Sequence, residues 1–334
     1  MNIIHCYTDL SPGGAAKVLV NMANIMASDG HNVIVLAGDG KLSKTINKEV
    51  DYINFDLGLN KNFITAVFSY FKVFFRFLSI IKKNKVELIF NHHRYLSPLF
   101  YFIQKLTKIK VVFIAHATSK KLFLNFDFYG NKIWAVSETV KNHFIKKLHV
   151  NQNKIEVILN AIEKVDKISV EEINRVKSEL KISEKKIISC VAHFRKIKRQ
   201  EFLIDAFKLS LKDIDNIILI LYGFGEDENK LKNKIKKDKI LDKVFIISDQ
   251  YSVDQILNIS DLIILASSRE GLAISLIEGM SLGKPVIGTS NTGMQEAITH
   301  NKNGYLFESN SIKDLSKYIN LTLSDDTNYS RLSK

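Results

Sequence analysis

"DLSPGGAAKVLVNMANIMASDGHNVIVLAG", Asp9 to Gly38, sets the reading of the whole chain. An apolar run, Asn2 to Tyr7, leads into it as a strand candidate, and "NVIVLA" at 32–37 closes it as a second strand. Gly13 and Gly14 stand where the first strand turns into a helix. Strand, glycine turn, helix and strand make a βαβ unit, and the same rhythm continues to the end. Further strand candidates are "VELIF" at 86–90, "KVVFIAH" at 110–116, "KIWAVS" at 132–137 and "KIEVIL" at 154–159. The series resumes with "KIISCVA" at 186–192, "NIILILYG" at 216–223, "KVFIIS" at 243–248, "DLIILAS" at 261–267 and "KPVIGT" at 284–289. Near-continuous apolar strands separated by helical patterns predict parallel sheets covered on both faces.

A charged stretch, "EKVDKISVEEINRVKSELKISEKK" at 163–186, divides the series and reads as a linker followed by an amphipathic helix. The expectation is α/β: two doubly wound, Rossmann-like domains, 1–162 and 163–334, facing one another across a cleft. Ligands of such folds bind beyond the carboxyl ends of the strands.

The chain has 334 residues, 46% hydrophobic and 25% charged, an ordinary globular composition with room for two domains. Cys6 and Cys190 lie far apart in apolar runs, which suits a reducing cytoplasm. The start, "MNIIHCYTDL", has neither the basic nor the apolar region of a secretory signal. A net charge of +13 is compatible with anionic partners. Nucleic acid is not favoured, because stacking aromatics at module spacing are missing. The stretch "NFITAVFSYFKVFFRFLSII", 62–81, is interrupted by Lys72 and Arg76, and Ser69, Lys72, Arg76 and Ser79 form one polar stripe. Central charges argue against a spanning helix. Two readings stay open: a mostly buried helix, or a Phe-rich, basic-flanked helix resting on the inner membrane surface.

The chemistry gathers at strand ends. His92 and His93 follow "VELIFN", and His116 follows "VVFIA", where imidazoles would hydrogen-bond a substrate hydroxyl or satisfy a loop carbonyl. Spacing for a metal site is absent. "SCVAHFRKIKRQEFLIDAF" puts His193, Arg195, Lys196, Lys198 and Arg199 after another strand, where cations would neutralise a diphosphate unless they are a solvated turn. Gly223 and Gly225 in "LYGFGEDENKL" mark a tight loop. In "SSREGLAISLIEGMSLGKPVIGT", 267–289, Glu270 opens an otherwise apolar run and Glu278 interrupts it. Glutamate is seldom buried without a partner. A helix starting near Leu272 would aim the amides of Gly271, Leu272 and Ala273 at an anion. Sugar hydroxyls would suit the two carboxylates. Diphosphate and two sugars together describe a nucleotide sugar; the alternative is Glu278 paired with a core lysine or arginine.

Glu270 and Glu278 form E-x7-E, and with "GMSLGKPVIGTSNTGMQEAITHNKNGYLF" this segment resembles the retaining glycosyltransferases of family 4, the glycogen-synthase-like group with the GT-B fold. "SPGGAAKVLVNMANIMASDGHNVIVL" is similar to that family's amino-terminal glycine segment. "IWAVSETVKNHF" and "IEVILNAIE" are similar to elements before its linker, and "VAHFRKIKRQEFLIDAF" to its diphosphate segment. The resemblance implies that Arg195 and Lys198 bind the donor diphosphate. It assigns Glu270 to the donor sugar, Gly271 and Leu272 to phosphate or sugar, and Glu278 to the ribose. Gly13 and Gly14 would approach donor phosphate and acceptor, His116 would contact the transferred sugar, and residues 249–251 would line the base pocket. No metal or other cofactor is implied.

Three departures stand out. Ala15 or Ala16 occupies the place of a family glutamate, and either His193 or Arg195 takes the place of the phosphate-binding arginine. The sequence given stops at "DDTNYSRLSK", so the helix that crosses back to the first domain would be short or missing.

The expected activity is transfer of a hexosyl or N-acetylhexosaminyl group from a nucleotide sugar, taken as UDP-linked, to a growing lipid-linked bacterial surface glycan such as O-antigen, capsule or lipooligosaccharide. The expected place is the cytoplasm or the cytoplasmic face of the inner membrane. Two alternatives are a nucleotide-sugar epimerase on the same fold and a non-catalytic partner subunit. An NAD oxidoreductase lacks its glycine fingerprint.

Overall fold

The computed structural model describes residues 1–55, 63–119, 128–162 and 164–333. They divide into two compact units, Met1–Ala161 and Ile162–Lys334.

Unit 1 holds seven strands: β1 (Asn2–Asp9), β2 (Asn32–Gly38), β3 (Val50–Asn54), β4 (Leu88–Asn91), β5 (Lys110–Ala115), β6 (Lys132–Ala135) and β7 (Ile155–Val157). They form one parallel sheet in the order β3-β2-β1-β4-β5-β6-β7. Its helices are α1 (Gly14–Ser28), α2 (Phe63–Lys83), α3 (Ser97–Thr107) and α4 (Glu138–Leu148). Alternate residues of β2 show why both faces need cover. Val33, Val35 and Ala37 join the core around Leu19 and Ala23 of α1, whereas Ile34 and Leu36 join the core around Phe77 of α2 and Phe100 of α3.

Unit 2 holds β8 (Lys186–Val191), β9 (Ile217–Tyr222), β10 (Val244–Ile247), β11 (Leu262–Leu265), β12 (Val286–Thr289) and β13 (Tyr305–Phe307). They are parallel in the order β10-β9-β8-β11-β12-β13. Helices α5 (Val170–Glu179), α6 (Gln200–Ser210), α7 (Glu228–Lys237), α8 (Val253–Ile259), α9 (Ile274–Ser281), α10 (Ile312–Ser324) and α11 (Asp326–Leu332) complete the unit. The expected amphipathic helix is α5, capped by Ser169, with Val176 buried. The last helix, α11, is held to its own unit: Arg331 donates to the Asn301 carbonyl, and the Tyr305 hydroxyl donates to Asn328 at 3.0 Å.

Both sheets have the doubly wound order, so each has a switch point where the chain reverses direction: β1 beside β4, and β8 beside β11. β3 and β13 were not expected. They are short edge strands, and β3 alternates buried Val50 with exposed Asp51, which weakens the apolar signal.

The buried reading of the 62–81 stretch holds for one face of the helix. Val73, Phe77 and Ile81 are buried, while Phe71 and Phe75 are 62% and 65% exposed beside exposed Lys72 and Arg76. The Ser69 side chain lies outside the described residues. Among the described residues, no helix is long and apolar enough to cross a membrane.

Candidate active site

Three loops of unit 2 converge at the β8/β11 switch point. The first follows β8. It carries His193, Arg195 and a single turn, Lys196–Lys198, before Arg199 enters α6 in the left-handed region at φ 55°. The second follows β11, and the third is the Asn291–Gly293 turn after β12. The Ser268 amide donates to the Ile197 carbonyl at 2.8 Å, and the Gly293 amide to the Glu270 carbonyl at 3.0 Å. A Cβ on Gly293 would sit 1.2 Å from the Gly271 carbonyl oxygen, so only glycine lets the third loop lie on the second.

Lys198 Nζ donates to Glu270 Oε2 at 2.6 Å, with the two side chains 20% and 14% exposed. This pair was not foreseen, although each member was a candidate. Burial pushes the Cys190 thiol up to about 12; Lys198 pulls it down and Glu270 raises it, so both charges reach the end of β8. The Arg195 side chain is exposed, and among the described residues it makes no hydrogen bond or ion pair. It borders an open depression of about 550 Å³, also lined by Lys196, Arg199, Ser268 and Arg269 but not by Lys198, Glu270 or Glu278.

Other candidates in this segment have structural tasks. Arg199 donates to Ser309, through its carbonyl and at 3.1 Å its hydroxyl, and lies 4.1 Å over the Phe202 ring. Burial lowers its pKa. The His193 ring meets Phe224 edge-on at 4.6 Å, and its carbonyl accepts from Gln200 Nε2 at 2.9 Å. Gly223 and Gly225 have φ of 150° and 152°, and a Cβ on either would strike a carbonyl oxygen, of Ala192 at 2.2 Å or Phe194 at 2.4 Å. Their absence of side chains serves loop packing. Residues 249–251 follow β10 at the same sheet edge; Tyr251 donates to Glu179 at 3.0 Å, and its carbonyl accepts from Tyr222 at 2.8 Å.

The helix carrying Glu278 starts later than expected. Ala273 is the N-cap and Ile274 the first helical residue, so the orphan amides run from Ala273 to Leu276. Gly271 and Leu272 precede the helix in a buried loop. Ala273 provides no side-chain cap, and the first turn carries no acidic residue, which leaves the helix start favourable to an anion. Ser275 Oγ donates to the Val191 carbonyl at 2.9 Å and ties that start to the end of β8. Glu278 is 3% exposed, and Gly279 beside it permits close packing on Ile263 of β11.

In unit 1, Gly13 is the extended N-cap of α1 and Gly14 its first residue, in the loop that leads from β1 to α1. Ala16 is buried and Ala15 half-buried. His116 follows β5 and joins a chain of rings: His5 Nδ1 lies 3.1 Å from His92 Nε2, and His92 Nδ1 lies 3.0 Å from His116 Nε2. Burial pushes His5 and His116 down to about 3, and burial with the neighbouring His116 and His5 holds His92 well below its ordinary value. All three are neutral at physiological pH. His93 stands apart at about 4, lowered by burial and Arg94, against the rings of Tyr7 and Tyr95. His5 was not foreseen; its signal is a lone histidine inside an apolar strand. Among the described residues, no group of three or more His, Cys, Asp or Glu side chains is placed to hold a metal.

Residues 12–164 match the family described as Glycosyltransferase Family 4, and residues 171–334 match Glycosyl transferases group 1. A relative from Bacillus anthracis, N-acetyl-alpha-D-glucosaminyl L-malate synthase, is 27% identical, over 91% of this chain and 82% of its own length. The poly(ribitol-phosphate) alpha-N-acetylglucosaminyltransferase of Staphylococcus aureus is 26% identical, over 53% of this chain and 38% of its length. The crystal structure of Anabaena Alr3699/HepE, in complex with UDP and glucose, superposes with a TM-score of 0.86 at 18% identity, covering 100% of this chain and 93% of that one. The fold is therefore GT-B, and the chain belongs to the group 1, family 4 glycosyltransferases.

Proposed function

We propose that this glycosyltransferase moves a sugar, with retention of anomeric configuration, from a UDP-sugar to a lipid-linked bacterial surface glycan. The observation that carries the reading is the convergence of Arg195, the Lys198–Glu270 pair and the uncapped start of α9 at one switch point. Two cations and a helix N-terminus stabilise the charge that develops on a departing diphosphate without reorganising. Glu270 takes the donor sugar's hydroxyls when Lys198 turns to phosphate, and Glu278 takes the ribose. The loop of Gly271 and Leu272 lines the phosphate and sugar positions. Unit 2 thus binds the donor. Unit 1 serves the acceptor; the family resemblance assigns Gly13 and Gly14 to phosphate and acceptor and His116 to the transferred sugar. UDP is favoured as the nucleotide by the Anabaena neighbour's bound UDP. A cell-surface acceptor is favoured by the Staphylococcus relative's poly(ribitol-phosphate).

The acceptor's lipid would bring the enzyme to the cytoplasmic face of the membrane. Phe71 and Phe75 on α2, with Phe102 and Leu106 on α3, are 54–67% exposed, and Lys72, Arg76 and Lys105 lie among them. Aromatic side chains flanked by cations suit an anionic lipid surface. The test is incubation with UDP-glucose, UDP-N-acetylglucosamine and UDP-galactose, with and without lipid-linked acceptors. Acceptor-dependent release of UDP with an α-linked product supports the proposal. A changed donor sugar formed without acceptor makes the chain an epimerase, and inactivity of a protein that binds UDP makes it a partner subunit.

A further inference from the structure

We infer that His5 and His92 are positioning residues that hold His116 in the Nδ1–H tautomer, so that it meets its ligand as a hydrogen-bond donor. A neutral imidazole carries one N–H, and the chain His5 Nδ1 to His92 Nε2, His92 Nδ1 to His116 Nε2 can be filled in only two ways. Either every ring carries its proton on Nδ1, or every ring carries it on Nε2. The outcome is decided at the far end. His5 is completely buried, and its Nε2 has no hydrogen-bond partner among the described residues. The first arrangement leaves a bare lone pair there; the second leaves an unbonded N–H. Orphaned buried N–H groups are the rarer of the two. The proton therefore sits on Nδ1 of His5, then of His92, then of His116.

The two inner rings are held in place by packing. His5 stacks on Phe90 at 4.8 Å, and the rings of His92 and His116 meet edge to edge, with centroids 5.2 Å apart and planes within 23° of parallel. Among the described residues, His116 Nδ1 bonds nothing, and His116 is only half-buried. It offers a donor to an oxygen lone pair, whether of a hydroxyl, an acetamido carbonyl or a carboxylate. The opposite tautomer would accept a hydroxyl proton and repel a carbonyl or carboxylate. That this oxygen belongs to the transferred sugar rests on the proposed function; the tautomer does not.

The test is long-range proton–nitrogen NMR of the full chain labelled with ¹⁵N-histidine at pH 7.5, without ligand. His92→Phe and His116→Gln assign the signals, and the single tryptophan's fluorescence checks their folding. Isolated histidine prefers Nε2–H, so Nδ1–H patterns for His5, His92 and His116 in the parent are the expected result. An Nε2–H or averaged pattern at His116 overturns the inference, and this reading needs neither variant to fold. In a folded His92→Phe protein, the His116 signal moves toward the averaged pattern of an unconstrained ring. An unchanged signal overturns the positioning role. Failure of glycosyl transfer leaves these spectra untouched, so the two proposals fail separately.

Discussion

Lowering the pH from 7.5 to 5.5 weakens unit 1 by about 3 kcal/mol, because the fold keeps His5 and His92 neutral while the unfolded chain does not. Burial pushes His5 down to about 3, and burial with its histidine neighbours holds His92 well below the ordinary value. In the unfolded state both titrate near 6.5. The unfolded chain then binds more protons below that pH. The contribution is complete above about 6.5 and is lost as pH falls toward the folded values. Each such group loses about 1.4 kcal/mol over this interval, and two lose about 3 kcal/mol. His93 and His116 are left out of the sum because both are half-buried. With a urea slope of about 2 kcal/mol/M for a unit of this size, the unfolding midpoint falls by about 1.5 M. Trp134, the only tryptophan, reports this unit selectively, since its ring lies 5.0 Å from Phe90, which stacks on His5. In His5→Phe the fall shrinks to about half. A midpoint that hardly moves between the two pH values, or an equal fall in His5→Phe, refutes the reasoning.

Gly225→Ala places a Cβ about 2.4 Å from the Phe194 carbonyl at φ 152° and lowers unit 2 stability by about 2–4 kcal/mol in urea titrations. Gly293→Ala forces the third loop off Gly271, so UDP affinity falls at least about tenfold in calorimetry and the melting temperature falls at least as far as for Gly225→Ala. Lys198→Met leaves Glu270 without its cation and costs about 1–2 kcal/mol in urea. Adding Glu270→Gln restores most of that stability but not UDP binding, and restored binding would show that the pair is purely structural.

Both sheets were legible because strands covered on two faces are apolar from end to end, as "NIILILY" is at 216–222. β13 escaped because three residues at an edge carry little pattern. At the site, the loops after β8 and β11 were legible, since a cation run and two glutamates break otherwise apolar text. Their pairing was not: Lys198 and Glu270 stand 72 residues apart and meet only because β8 and β11 are neighbours at the switch point. His5 and His92, 87 residues apart, meet for the same reason across β1 and β4. The start of α9 was misjudged by two residues because Ala273 caps it with no side-chain signature. Arg199 looked like its neighbours Arg195 and Lys198, and only the position of Ser309 and Phe202 separates them.

The most direct test of the central claim is calorimetric titration of UDP into the parent and into Arg195→Ala. The Arg195 side chain is exposed and makes no hydrogen bond or ion pair among the described residues, so its removal leaves the melting temperature unchanged. One charge-assisted contact to diphosphate is worth about 1.5–3 kcal/mol, so binding weakens by about 10- to 150-fold. UDP binding by the parent with that loss in Arg195→Ala is the result predicted here. A folded parent that binds no UDP, or equal affinity in the two proteins, would contradict a donor site at the β8/β11 switch point.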